Sequence, residues 1–248
     1  MVVKEYGSEN KDVIVLLHGG GLSWWNYIDE IELLKNDFHL DIPILDGHAG
    51  SDCDFSTIEN NAAEIIKYID DNFQGKVKLI GGLSLGGQVL IGILSQRENI
   101  CEYALIESAL TVPMPITYKL IKPTFGMSYG LIKKEWFSKL QFRSLKMPEK
   151  IFPIYYEDSC KISKDNLIAF MRANANYTIK PSLSNSKAKA LILVGEKERP
   201  IMIKSAKIIH EKLLGSKLKI LDGYYHGDIS LNQPKQYVET LLNLIKSI

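Results

Sequence analysis

Short apolar runs alternate along this chain with longer segments whose apolar residues recur at helical spacing. The runs occupy residues 13–17, 42–45, 77–80, 104–106, 190–194 and 218–221. Continuous apolar runs of this length are typical of strands that are buried on both faces of a sheet. Because strand and helix patterns alternate, the sequence predicts an α/β fold with a mostly parallel sheet flanked by helices.

Four helical segments can be assigned between and after these runs. Residues 56–73 begin with Ser56 and Glu59 in capping-box spacing and continue with an apolar stripe, which predicts an amphipathic helix against the sheet. Residues 85–95 and 205–214 also look helical. Residues 234–248 start with proline at the first turn, where its missing N–H costs nothing, and they predict a C-terminal helix.

The alternation breaks between about residues 108 and 187. Six prolines punctuate aromatic and basic helical fragments there, and no strong strand pattern occurs. The sequence predicts a core of residues 1–107 and 188–248, with residues 108–187 as a helical insertion packed onto it, since no flexible linker joins the two. An ordinary long helical crossover is the alternative interpretation.

The amino-acid composition indicates which class of molecule this protein binds. Lysine and arginine (30) nearly balance aspartate and glutamate (29), and no run of like charge favours binding to nucleic acid or to an anionic membrane. A small-molecule substrate fits better. Three scattered cysteines without metal or redox spacing predict a protein of the reducing cytoplasm, and no apolar stretch reaches the roughly 20 residues of a membrane span. The sequence does not indicate an oligomeric state.

The motif that carries chemistry is GLSLG at residues 82–86, between the run at 77–80 and the helical pattern of residues 85–95. This G-x-S-x-G motif predicts a sharp turn from strand to helix that exposes the Ser84 hydroxyl at the carboxyl edge of the sheet. The glycines allow strand and helix to approach each other, and the helix N-terminus favours negative charge developing nearby.

With this motif in its context, the sequence resembles the α/β-hydrolase fold family. His18 and the three following glycines come directly after residues 13–17, where the family has its oxyanion loop. The resemblance implies that the backbone N–H groups of Gly20 and Leu85 form the oxyanion hole. Residues 47–52 look like the family's G-H-G-x-S loop, and so His18 and His48 are interpreted as loop-ordering residues. His39 and His210 look like ordinary surface residues.

The resemblance assigns the general base to His226, on the loop after the run at 218–221. Serine is too weak an acid to ionise alone near neutral pH, and so it needs an imidazole that accepts its proton and later returns it to the leaving group. The orienting acid is expected between the serine and the histidine in chain order. Residues 195–198 resemble the family's G-E-K-D turn, which puts the role on Glu198, with Glu196 and Glu107 as alternatives.

The resemblance also implies that residues 108–187 form a cap over the active site, between the family's strands 6 and 7, and that residues 2–6 form an antiparallel edge strand. Trp24 and Trp25, beside the oxyanion loop, are expected to bind substrate. No residue spacing implies a metal or an organic cofactor.

Together these features predict a serine hydrolase that cleaves a small or medium carboxylic ester through an acyl-enzyme, with Ser84, His226 and Glu198 as the triad. A thioesterase, an amidase or a carbon–carbon bond hydrolase would use the same residues. A ligand-sensing receptor or a degenerate hydrolase with slow turnover is the alternative from another class.

Overall fold

A seven-stranded sheet forms the centre of the computed structural model, which describes residues 1–246. The strands run in the order β1-β3-β2-β4-β5-β6-β7. Strand β1 pairs antiparallel with β3, and all other neighbours are parallel. The strands are β1 (Val3–Tyr6), β2 (Val13–Leu17), β3 (His39–Pro43), β4 (Val77–Leu83), β5 (Cys101–Glu107), β6 (Lys189–Gly195) and β7 (Lys217–Leu221).

Ten α-helices accompany the sheet within the described residues. They are α1 (Ile28–Leu34), α2 (Ile58–Phe73), α3 (Leu85–Gln96), α4 (Pro115–Ile132), α5 (Glu135–Ser144), α6 (Phe152–Lys161), α7 (Lys164–Asn176), α8 (Pro200–Lys212), α9 (Asp228–Asn232) and α10 (Pro234–Lys246). None of the helices within residues 1–246 is both long and apolar enough to cross a lipid bilayer.

The sheet is buried on both faces, as its continuous apolar runs predict. All five residues of β2 are buried. Val13, Val15 and Leu17 pack on the side of α2, α3 and α8, whereas Ile14 and Leu16 pack on the side of α1 and α10. Each such side chain contributes about 2 kcal/mol to folding by leaving water. The hydrophobic core therefore consists of two layers that fix the sheet from both sides.

Element boundaries differ from the sequence interpretation at a few termini. Helix α2 begins at Ile58 and is capped by Thr57, whose hydroxyl accepts from the Asn60 N–H, so the predicted cap at Ser56 is wrong by one residue. Helix α8 begins at Pro200, five residues before the predicted start. Proline is favoured at a first helical position, and the apolar stripe alone did not reveal this turn. Residues 247–248 of the predicted C-terminal helix lie outside the described residues.

Four helices, α4 to α7, fill the chain between β5 and β6. Phe142, Met147 and Tyr155 of this segment pack against Leu22 and Leu83 of the sheet domain. The helices therefore cover the carboxyl edge of the central strands. The division into a core of residues 1–107 and 188–248 and a cap of residues 108–187 stays a prediction.

Helix α7 is the part of this segment most firmly joined to the sheet domain. The Asn174 amide donates to the Gln88 side chain of α3 at 3.1 Å, and the Asn166 side chain accepts from the Phe55 N–H at 2.9 Å. The Phe170 ring stacks on the His48 imidazole at 4.4 Å. In contrast, α4 and α5 expose several large apolar side chains, among them Ile116, Leu120, Met127, Leu131, Trp136 and Leu140.

One buried carboxyl on α1 makes the stability of this fold depend on pH. Glu30 is 1% exposed, and its Oε1 atom has no hydrogen-bond partner. Burial raises the pKa of Glu30 to about 9. Between about pH 4.5 and pH 9 the Glu30 carboxyl is therefore protonated in the folded chain and ionised in the unfolded chain. The free energy of unfolding must fall as the pH rises through this range.

We expect Glu30→Gln to remove this pH dependence. Urea unfolding at pH 6, 7 and 8 should show the variant gaining stability relative to the parent by up to about 1.4 kcal/mol per pH unit. Glu32→Gln, which changes an exposed glutamate on the same helix, should show the same dependence of the free energy of unfolding on pH as the parent. Equal slopes for the parent and Glu30→Gln would show that Glu30 is ionised in the folded protein.

Candidate active site

The turn from β4 into α3 holds Ser84 in a strained conformation. Its backbone has φ 53° and ψ −109°, a conformation that residues other than glycine rarely adopt. This conformation costs about 1–3 kcal/mol. A Cβ atom on Gly82 would lie 2.5 Å from the Gly86 carbonyl oxygen, and one on Gly86 would lie 2.2 Å from the carbonyl oxygen of Leu17. Only glycine fits at both positions, and the half-buried Ser84 hydroxyl stands above the sheet edge.

Three side chains from three loops form a hydrogen-bonded chain at this edge. His226, between β7 and α9, places Nε2 3.0 Å from the Ser84 Oγ atom. Its Nδ1 atom lies 2.7 Å from Oε2 of Glu198, which follows β6. Because a carboxylate can only accept, Nδ1 carries the hydrogen and the Nε2 lone pair faces the serine. The structure thus brings Ser84, His226 and Glu198 together in the geometry that activates a serine hydroxyl.

The Glu198 carboxylate is fixed from three directions. Its Oε1 atom accepts from the Ser108 hydroxyl at 2.7 Å and from the Gly195 N–H at 2.8 Å. Burial alone would raise the pKa of Glu198. The hydrogen bond and charge of His226, together with the bonds from Ser108 and Gly195, outweigh burial and hold that pKa below its usual value. The long glutamate side chain therefore stays ionised, anchored to its own turn, while its second oxygen orients the imidazole.

The other two acids considered from the sequence do not contact the histidine. Glu196 accepts from the Gly223 N–H at 3.0 Å. Glu107, at the end of β5, is buried, its Oε2 atom has no partner, and burial raises its pKa to about 7. Among residues 1–246, only Glu198 forms an ion pair with His226.

Two neutral histidines hold the glycine loop after β2. His18 accepts the Leu45 N–H at Nε2 and donates from Nδ1 to the Gly19 carbonyl, and His48 accepts the Gly21 N–H at Nε2 and donates to the Asp46 carbonyl. Burial, with the neighbouring His48, lowers the pKa of His18 to about 3, and burial lowers that of His48 to about 4. Both rings therefore stay neutral near pH 7, and each ties the loop to the chain after β3.

The loop leaves main-chain donors beside the serine. Within residues 1–246, neither the Gly20 N–H nor the Leu85 N–H has a hydrogen-bond partner. A Cβ atom on Gly20 would lie 3.6 Å from the Leu85 Cβ, so the two backbones are adjacent. Leu85 is the first residue of α3, whose dipole also favours negative charge here. This pair can donate to an oxyanion that forms on a carbonyl attacked by Ser84.

A cavity of about 320 Å³ opens above Ser84, between the glycine loop and the helices from α4 to α7. Its walls are apolar apart from a few neutral groups such as Gln141, Ser144 and Ser159. Of the residues that the structure describes, His226 is the only ionisable lining group other than tyrosine. The apolar wall is formed by Leu22, Phe125, Ile132, Leu145, Ile162, Leu167, Phe170, Met171 and Leu231. The site can therefore enclose a neutral, largely apolar molecule of small or medium size.

Neither Trp24 nor Trp25, which were expected to bind substrate, lines this cavity. Trp25 is completely buried and donates from its indole N–H to Asp158 of α6 at 2.8 Å, and Trp24 packs beside Tyr6. Their position beside the loop suggested substrate contact, but Trp25 packs against Tyr155 behind the cavity wall and Trp24 packs beside Tyr6. Phe125, Phe170 and Met171 line the cavity in their place, and the sequence indicated them only through the aromatic and aliphatic composition of residues 108–187.

No protein-family model matches the sequence, and comparison with curated proteins gives no match. Solved structures are similar over almost the whole chain. An esterase from Exiguobacterium antarcticum superposes with a TM-score of 0.81 at 19% identity, covering 99% of this chain and 95% of that one. A bromoperoxidase from Bacillus anthracis gives 0.82 at 15% identity over 99% and 95%, and MenH from S. aureus gives 0.78 at 18% over 98% and 97%.

These similarities, together with the strand order and the turn at Ser84, show that the chain has the α/β-hydrolase fold. The fold class expected from the sequence is thereby confirmed. At identities below 20% the comparisons define the fold alone, and the activity must be inferred from the site.

Ser108 offers a test of how Glu198 orients the imidazole, since within residues 1–246 its hydroxyl donates to Glu198 but forms no hydrogen bond with Ser84 or His226. We expect Ser108→Ala to slow the covalent labelling of Ser84 by a fluorophosphonate about tenfold, because a hydrogen bond to a charged group contributes about 1.5–3 kcal/mol. The labelling rate should also rise at a higher pH than in the parent, because Glu198 loses a donor that holds its pKa down. Ser216→Ala, which removes a serine bonded to His210, is the control.

Proposed function

We propose that this protein is a serine hydrolase that cleaves small or medium carboxylic esters through an acyl-enzyme intermediate. The observation that carries the proposal is the continuous chain from Ser84 Oγ to His226 and Glu198, with contacts of 3.0 and 2.7 Å, beneath an apolar cavity. Similar solved structures include an esterase and an enol-lactonase. These similarities support the class of reaction but do not identify a substrate.

In the proposed acylation, Ser84 Oγ forms a bond to the ester carbonyl carbon while its proton moves to His226 Nε2. The carbonyl oxygen becomes an oxyanion that accepts hydrogen bonds from the Gly20 and Leu85 N–H groups. Collapse of this intermediate breaks the bond to the alkoxy oxygen, which takes the proton from His226 and leaves as the alcohol. The ionised Glu198 stabilises the imidazolium that forms in between.

Deacylation repeats the sequence with water. The neutral His226 accepts a proton from the water molecule as its oxygen attacks the acyl carbon, and the same two N–H groups hold the second oxyanion. The Ser84 ester bond then breaks, Ser84 Oγ regains a proton from His226, and the carboxylic acid leaves. No step requires a metal or a redox cofactor.

The cavity favours a neutral substrate. Among residues 1–246, no lysine, arginine, aspartate or glutamate lines it, and a carboxylate bound there would lose its hydration without gaining a charged partner. We further propose a cytoplasmic location and a small-molecule substrate as the partner. The free thiols of Cys53, Cys101 and Cys160 are consistent with a reducing compartment. Thioester, amide and carbon–carbon bond cleavage would use the same groups, and substrate panels must separate them.

The first test is the intact mass after incubation with a fluorophosphonate. The parent should gain one adduct, and Ser84→Ala should gain none and lose at least about 10³-fold in kcat/KM on an aryl ester. Ser95→Ala, which changes a serine of α3 whose hydroxyl donates to the Ile91 carbonyl, should behave like the parent. A folded parent that takes no adduct and turns over no ester would contradict the proposal and favour a ligand-sensing or degenerate member of the fold.

Substrate preference can be tested on the two faces of α7. Met171 lines the cavity, whereas Ile168 lies on the outer face of the helix. Met171→Ala enlarges the cavity and should shift the optimum among p-nitrophenyl esters toward longer acyl chains by about two carbons. Ile168→Ala should leave the chain-length profile unchanged. An unchanged profile for Met171→Ala would mean that the acyl group binds elsewhere.

A further inference from the structure

A second cluster of chemically active side chains lies at the opposite end of the sheet from Ser84. Glu5 of β1 pairs directly with Asp41 of β3, and His39 stands two residues before Asp41 on the same strand. Because strand residues alternate between faces, all three side chains project from one side of the sheet, toward α2. The sequence interpretation of His39 as a surface residue is wrong, since it is 8% exposed.

The contacts within this cluster are short ion-pair contacts without regular hydrogen-bond geometry. His39 Nε2 lies 2.8 Å from Glu5 Oε1 and 3.3 Å from Asp41 Oδ1. Nevertheless, His39 Nε2 and Asp41 Oδ1 are both buried without a partner in hydrogen-bond geometry, although they lie 3.3 Å apart. Two buried polar atoms that lie this close together without a hydrogen-bond partner indicate that a further group, such as an ion, binds between them.

A metal ion is the group that matches this geometry. Nitrogen and oxygen donors bind Zn²⁺ at about 2.0–2.2 Å, which puts donors of one tetrahedral or octahedral shell about 2.8–3.4 Å apart. In such a shell the ion lies on the axis of the imidazole lone pair, and the neighbouring donors lie off that axis. The donor atoms of Glu5, His39 and Asp41 all lie within 4.8 Å of one another.

The surroundings hold the side chains in place for this role. The Tyr68 hydroxyl donates to the other oxygen of Asp41 at 2.8 Å, and the Phe73 ring packs edge-on against the His39 imidazole at 5.3 Å. Such outer contacts orient the ligands of metal sites. No lysine or arginine within residues 1–246 pairs with either carboxylate. Glu5 is half exposed, so an ion and its remaining water ligands can enter from solvent.

We propose that Glu5, His39 and Asp41 bind one divalent transition-metal ion of the Zn²⁺ class. One imidazole and two carboxylates suit zinc and its neighbours better than Mg²⁺, which favours oxygen ligands alone. The ion joins the edge strand β1 to β3 and so stabilises the fold. It takes no part in ester cleavage, because the cluster lies at the amino end of β3 whereas Ser84 follows the carboxyl end of β4.

The test uses chelator-treated full-length protein, titrated with ZnCl₂ near pH 7.5 in a calorimeter. One equivalent should bind, and zinc at a hundredfold excess over Kd should raise Tm by about 5 °C. Glu5→Gln should weaken binding at least about tenfold. Glu102→Gln, which changes a half-exposed strand glutamate paired with Lys78, should bind like the parent.

His226→Ala should retain the same binding, which excludes the candidate active site as the place where zinc binds. Absence of one-to-one binding, or equal affinity in the parent and Glu5→Gln, would overturn the proposal and leave the cluster as a histidine–carboxylate ion pair. Because the readouts are heat and Tm, the result does not depend on whether the protein hydrolyses esters.

Discussion

The close approach of three main-chain segments around Ser84 is the constraint on which the rest of the site depends. The end of β2, the end of β4 and the start of α3 meet at distances that only glycine tolerates at positions 82 and 86. This contact forces Ser84 into its strained conformation, brings the Leu85 N–H beside that of Gly20, and points the hydroxyl at the loop after β7. The buried sheet and its two core layers supply the packing energy that offsets the strain.

Electrostatics divides the site into neutral and charged parts. The histidines that order the glycine loop are buried deeply enough to stay uncharged, and each uses one ring nitrogen as a donor and the other as an acceptor. The one carboxylate at the reacting end is ionised because three donors converge on it. Fixed neutral dipoles and the anchored Glu198 carboxylate need little rearrangement when an oxyanion develops, which is the condition for efficient electrostatic stabilisation.

Much of the fold could be predicted from the sequence, because buried parallel strands and amphipathic helices leave periodic patterns. The glycines of residues 82–86 and the order of the loops pointed to Ser84, His226 and Glu198, which the structure brings together. The direction in which each side chain points could not be predicted from the sequence. Trp24 and Trp25 follow the glycine loop in sequence, yet neither side chain lines the cavity. No sequence motif marked Ser108 as the partner of Glu198. The partners of Glu5 and His39 depend on the register of β1 with β3, which apolar periodicity does not specify.

Helix α7 shares its hydrogen bonds and its stacked Phe170 with the strands and loops that order the glycine loop, whereas α4 and α5 have few such ties. The two walls of the cavity therefore differ in how freely they can change during evolution. A substitution at Phe170 of α7 would disturb the loop that holds Gly20, because this ring stacks on His48, which accepts from the Gly21 N–H. Substitutions at Phe125 or Ile132 of α4 would reshape the opposite wall without removing a hydrogen bond of the loop or of Ser84, so the shape of the cavity can change there while Ser84, His226 and Glu198 keep their arrangement.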